Sequence, residues 1–212
     1  MRHLFLTSQV QYVANSIQKK VDVGKLTHSV FIDTCIQDTA HSNLEWHHKN
    51  KSRLEEVGFK FDVYNIAGKT ESEINSDLSK YEVMYVEGGN SYYLLQESQK
   101  NNFGSFVRKR IEEGMIYIGT SAGSVITGPD IEPVRREETT PLAPELKGTK
   151  AFRIVPFVIL PHWGNSTLKK LYGEYRFNHV YNEDFPYILL TDQQYVEVVG
   201  DFYRIIDVRN ES

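Results

Sequence analysis

Three short segments of the chain carry residue types that could act together on a carbonyl carbon. The first is Gly119-Thr120-Ser121-Ala122-Gly123, a G-x-S-x-G pattern between the apolar run Met115-Ile116-Tyr117-Ile118 and the helix-compatible Val125-Ile126. A sharp strand-to-helix bend crowds the residue at its apex, so the flanking positions favour glycine, which has no Cβ to clash. Ser121 at that apex is expected to lift its hydroxyl above the carboxyl end of a sheet, where open α/β folds place their ligands. The helix that starts there offers free N–H groups and a positive dipole end to a developing oxyanion. A glycine-rich turn with a serine cap gives the same letters; the buried strand before it is what favours a nucleophile.

The second segment, Glu87-Gly88-Gly89-Asn90-Ser91, also ends an apolar run and opens a helix. A backbone N–H of Gly88 or Gly89, together with that of Ala122, is positioned to form an oxyanion hole. The simpler alternative is a plain turn capped by Asn90 or Ser91. A P-loop is disfavoured because the lysine it needs is missing.

The third segment supplies a base. Of the seven histidines, only His162 directly follows a buried run, in Leu160-Pro161-His162-Trp163-Gly164-Asn165. That places its imidazole at the same sheet edge as Ser121, as a serine nucleophile requires. His47 and His48 lie in a charged helix, where exposure is expected. A third group should fix the imidazole tautomer. The loop before His162 offers Asp130, Glu132, Glu137, Glu138 and Glu145, and spacing does not choose among them.

These residues need a frame. Leu4–Leu6, Val30–Ile32, Phe59–Ile66, Val83–Val86 and Met115–Ile118 read as strands, with helices expected over 9–20, 42–57, 91–98 and 103–113. Thr70 and Glu73 form a capping-box pattern for a further short helix. The alternation argues for a mostly parallel sheet covered on both faces. Residues 128–151 hold Pro129, Pro133, Pro141 and Pro144 and read as a long loop. Ile154–Leu160 is expected as a strand and 166–179 as a helix. Three closing strands follow at 187–190, 195–199 and 203–206, the last two joined by a hairpin turn at Gly200-Asp201.

The 212 residues contain no linker, so one domain spanning 1–212 is expected. The formal net charge of −4, without a clustered basic stripe, argues against nucleic acid as a partner. The one cysteine, Cys35, forms no intramolecular disulfide and no multi-cysteine metal site. With no apolar stretch long enough for a signal peptide or a membrane span, a cytoplasmic location is expected.

The three motifs in this order resemble the peptidase E (aspartyl dipeptidase) family of serine peptidases, to which cyanophycinases are related. The likeness runs from about Leu4 to about Ile206 and is strongest from Tyr85 to Asn165. It implies a three-layer α/β/α fold related to class I glutamine amidotransferases and a short peptide as substrate, without metal or organic cofactor. It implies Ser121 as nucleophile, His162 as base, and an oxyanion site from Gly88 or Gly89 with Ala122. The family's acidic third member lies on the loop after the nucleophile helix, which points to Glu138, with Glu137 next. The aspartyl dipeptidases carry Arg-Thr-Thr-Asn-Asp there, whereas this chain has Val134-Arg135-Arg136-Glu137-Glu138. Arg135 or Arg136 is then the candidate partner for a substrate carboxylate. A non-catalytic small-ligand module on the same fold is the alternative. An amidotransferase-like glutaminase fits less well, because it uses cysteine at the bend and a His-x-Glu pair, and Gly164 stands two residues after His162.

Overall fold

The computed structural model describes residues 1–21, 28–36, 44–136, 140–180 and 184–211. Strands β1 (His3–Thr7), β2 (Ser29–Ile32), β3 (Phe61–Tyr64), β4 (Val83–Val86) and β5 (Ile116–Thr120) run parallel in the order β3-β2-β4-β5-β1. Helices α1 (Val10–Gln18), α2 (Glu45–Glu56), α3 (Glu71–Leu78), α4 (Ser91–Lys100) and α5 (Phe103–Glu112) connect them, and α6 (Ala122–Val125) follows β5. The sequence places β6 at Val158–Pro161, β7 at Tyr187–Leu190, β8 at Gln194–Val199 and β9 at Phe202–Asp207. β8 joins β1 antiparallel and β9 joins β8 antiparallel, completing a seven-stranded sheet. β6 and β7 form a separate two-stranded parallel sheet.

Side chains alternate along a strand, so a sheet buried on both faces must be apolar throughout. Leu4, Leu6, Val30, Ile32, Met84, Val86 and Tyr117 feed one core cluster, with residues of α3, α4, α5 and α6. Phe5, Phe31, Val83, Tyr85 and Ile118 feed the other, with α1 and Leu54 of α2. Helices therefore cover both faces, and the architecture is three-layered α/β, mostly parallel at its centre. Among the described residues no helix is long and apolar enough to cross a membrane.

The third strand is shorter than its apolar run because β3 is an edge strand with Val63 half exposed. The capping box at Thr70 and Glu73 is present. Among its described residues the proline-rich stretch holds two 3-10 turns, Glu132–Val134 and Thr140–Leu142, and is tied down. An isolated bridge pairs Asp130 with Lys150, and Ala151 and Arg153 donate to the carbonyls of Pro129 and Gly128. The helix expected over 166–179 is a composite: a 3-10 turn (Ser166–Leu168), an α turn (Lys169–Leu171), a π turn (Tyr172–Arg176) and an α turn (Phe177–Val180). The expected strand Tyr187–Leu190 forms, but beside β6 rather than in the main sheet. That pairing sets up the site.

Candidate active site

Ser121 lies between β5 and α6 with φ 48 and ψ −106, a conformation that non-glycine residues adopt only under strain. The bend that forces this is held from several sides. The Ser121 N–H donates to the Thr7 carbonyl at 3.0 Å, and those of Ser124 and Val125 donate back to the Ser121 carbonyl. The Ser124 hydroxyl reaches the carbonyls of Thr7 and Gly119 at 2.7 and 2.8 Å. Glycine is required on either side: a Cβ at Gly123 would stand 2.1 Å from the Val86 carbonyl oxygen, and one at Gly119 2.6 Å from that of Gly123.

His162 directly follows β6, also with positive φ (65). Its Nε2 lies 2.9 Å from the Ser121 Oγ. Its Nδ1 lies 2.8 Å from Oδ1 of Asp192, two residues beyond the end of β7. The pairing of Pro161 with Leu190 explains the meeting, since both side chains leave the small sheet at the same end. The Ser8 hydroxyl, just past β1, accepts from the His162 N–H at 2.8 Å and donates to Asp192 at 2.6 Å. It thereby ties the small sheet to the large one. Burial alone would raise the Asp192 pKa; hydrogen bonds from His162 and Ser8 and the imidazole's charge outweigh it and hold the carboxyl below its ordinary value.

Among the described residues, the carboxylate at the imidazole is Asp192, which follows His162 rather than lying on the loop before it. Glu137 and Glu138 lie outside the described residues. The loop carboxylates that are described are occupied elsewhere: Asp130 with Lys150, Glu132 with Tyr92 and Arg135, Glu145 with Lys100. Asp192 carries the same sequence signal as Ser121 and His162, a polar residue just past the end of a buried strand; only its place after His162 hid it.

The second glycine turn is built over a buried carboxylate. Glu87 is fully buried and its oxygens accept from the Gly88 N–H (2.7 Å), Asn50 (2.9 Å) and the Tyr85 hydroxyl (2.9 Å). His47 faces the other oxygen at 3.1 Å, so this histidine is largely buried rather than exposed as its charged helix suggests. The Gly88 N–H is consumed by Glu87, which removes it from the expected oxyanion pair. The N–H groups of Gly89 and Ala122 have no acceptor among the described residues. Gly89 has φ +129, and a Cβ there would meet the Cys35 carbonyl oxygen at 2.4 Å. Gly89→Ala is accordingly expected to lower stability by more than about 2 kcal/mol, read as a shift of the urea midpoint. Cys35 is itself buried. Burial, then the charge of Glu87, pushes its thiol pKa well up, and the thiol donates to the Gly88 carbonyl at 2.7 Å. It is a strut for this turn and a poor nucleophile.

Ser121, His162, Gly88, Gly89 and Ala122 line one cleft of about 300 Å³, with Trp46, Arg136 and Arg176 among its other walls. Of the two arginines expected at a substrate carboxylate, Arg136 lines this cleft. Arg135 does not; its guanidinium pairs with Glu132 at the exposed surface, 3.3 Å away. Among the described residues no group of three or more His, Cys, Asp or Glu could hold a metal ion.

A strained serine at a strand end, backed by an imidazole and a carboxylate, is the arrangement that α/β serine hydrolases use. The chain belongs to peptidase family S51, whose model matches residues 7–206, and is a serine-type peptidase. An uncharacterized peptidase of Listeria monocytogenes serovar 1/2a is 32% identical over 171 residues, 81% of this chain and 82% of that one. Peptidase E of Salmonella typhi is 33% identical over 103 residues, 49% of this chain and 43% of that one. A solved Listeria monocytogenes structure assigned to peptidase E superposes with a TM-score of 0.85 at 26% identity, covering 98% of both chains.

Proposed function

We propose that this peptidase hydrolyses short peptides through an acyl-enzyme formed on Ser121. The observation that carries the reading is the 2.9 Å approach of His162 Nε2 to the Oγ of a conformationally strained serine. As Oγ attacks the substrate carbonyl, Nε2 takes its proton, and the N–H groups of Gly89 and Ala122 receive the oxyanion. The C–N bond then breaks as His162 returns the proton to the leaving amine. Water repeats the sequence to free the acyl group. Asp192 holds the Nδ1–H tautomer and balances the imidazolium. The cleft's volume of about 300 Å³ is at the small end for ligand pockets, which favours dipeptides or similarly short chains. The single unpaired cysteine favours a reducing, cytoplasmic setting.

Two measurements test this. A fluorophosphonate probe is expected to label Ser121, identified by peptide mapping. A dipeptide library is expected to yield at least one substrate whose cleavage the probe blocks. An inert Ser121 in protein that binds a small ligand without turning it over points instead to a non-catalytic module.

A further inference from the structure

Arg176 is only 1% exposed, and its side chain heads the fully buried ones by volume. Among the described residues its Nε and Nη1 have no hydrogen-bond partner and no carboxylate pairs with it. Burying an unpaired guanidinium is strongly unfavourable, so a fold that does so holds a site for an anion or carries a large penalty. Arg176 nevertheless lines the cleft that contains Ser121 and His162. Half-buried Arg136 lines it too and likewise has no carboxylate partner among the described residues. Burial draws the Arg176 pKa below its ordinary value, Tyr172 opposes this, and the charge of Arg136 adds to it. Among the described residues, two cations thus line one cleft and no carboxylate is paired with either.

We propose that Arg176, assisted by Arg136, receives the free α-carboxylate of the substrate residue on the leaving side of the scissile bond. This rests on the peptidase reading above and adds a specificity determinant to it. Its planar fork of donors matches a carboxylate. The path of the chain favours the leaving side of the cleft. The leaving nitrogen must lie against His162, which protonates it. Arg176 stands on the segment that follows His162, and Tyr172 of that segment packs against the residues flanking His162. The Tyr172 hydroxyl donates to the Pro161 carbonyl, and the Tyr172 ring lies 5.2 Å from that of Trp163. The guanidinium of Arg176 stacks on that same Tyr172 ring, 4.6 Å from its centroid. The π turn Tyr172–Arg176 that carries both residues is the kind of irregularity that concentrates at functional sites. The oxyanion turn belongs to a different stretch of chain, after β4. A substrate held this way must end shortly after the bond that is cut.

The test is calorimetric titration of the Ser121→Ala protein, which cannot turn its ligand over. The probes are Ala-Leu and Asp-Leu, each as free acid and as C-terminal amide. The acids are expected to bind at least tenfold more tightly than their amides, whichever residue comes first. Adding Arg176→Met should bring the acid and amide Kd values within about threefold of each other. Because replacing a buried arginine can disturb folding, Arg136→Met is measured in parallel and is expected to narrow the gap at least threefold. Equal binding of acid and amide, no binding of any of the four, or a gap that both arginine variants retain overturns the proposal. So does a preference that follows Asp over Ala while ignoring the terminal carboxyl. Peptide hydrolysis by the unaltered protein is a separate measurement. An acid–amide gap without hydrolysis keeps this site and removes the mechanism above; hydrolysis without the gap does the reverse.

Discussion

Ser121→Ala is expected to lower kcat for any cleaved peptide by about 10⁶-fold while leaving the fold intact, as removal of the nucleophile does in triad hydrolases. Deleting the hydroxyl takes away the attacking atom and the 2.9 Å contact with His162, and nothing else in the cleft replaces either. Cys35, the chain's one thiol, is buried and held protonated. Stability should be preserved because, among the described residues, the Ser121 hydroxyl bonds to His162 alone; its backbone carbonyl, not its hydroxyl, accepts from Ser124 and Val125. The measurement is kcat with a purified variant checked by circular dichroism. Residual hydrolysis within tenfold of the unaltered protein would remove Ser121 from the mechanism.

The second large effect is expected at Asp192. Asp192→Asn should lower kcat by about 10⁴-fold, because the amide cannot balance an imidazolium and favours the wrong tautomer. Fluorophosphonate labelling of Ser121 should slow in parallel. A purely structural role would instead reduce the amount of folded protein without slowing the labelling of what remains folded. The same residue gives a pH signature. Its folded carboxyl lies below the ordinary value of about 3.8, through hydrogen bonds from His162 and Ser8 that outweigh burial. A depressed carboxyl stabilises the fold fully above its unfolded pKa and loses that contribution as pH falls through the lower folded value. The unaltered protein should therefore lose stability below about pH 4 by a component that Asp192→Asn lacks, read as converging urea midpoints in acid.

The parts of this site that were legible in the sequence share one property: each is announced locally. Gly119 and Gly123 mark a bend that no Cβ fits, and the buried strand before Ser121 fixes its end of the sheet. His162 is marked the same way by Val158–Pro161. Strand and helix periodicity likewise exposed most of the main sheet. What sequence did not disclose depends on pairing between distant segments. Nothing in Tyr187–Leu190 says that it will lie beside β6 rather than in the large sheet, yet that pairing delivers Asp192 to the imidazole. His47 looked solvated because its helix neighbours are charged; a buried carboxylate from another strand decides otherwise. Arg176 was hidden within a helix-period segment, and only the π turn and the packing on Tyr172 turn it into the cleft.

The division of the strands into two sheets bears on how the proton relay could be disengaged. His162 and Asp192 ride together on the two-stranded unit, whereas Ser121 rides on the seven-stranded one. A slide of one raft against the other would part the Ser121 hydroxyl from Nε2 while leaving the imidazole–carboxylate couple whole. The hydroxyl of Ser8 is a mooring between them, grasping the histidine's amide and the aspartate at once. That tether, together with the core shared by Leu160, Leu190, Leu6 and Val125, holds the imidazole in register with Ser121.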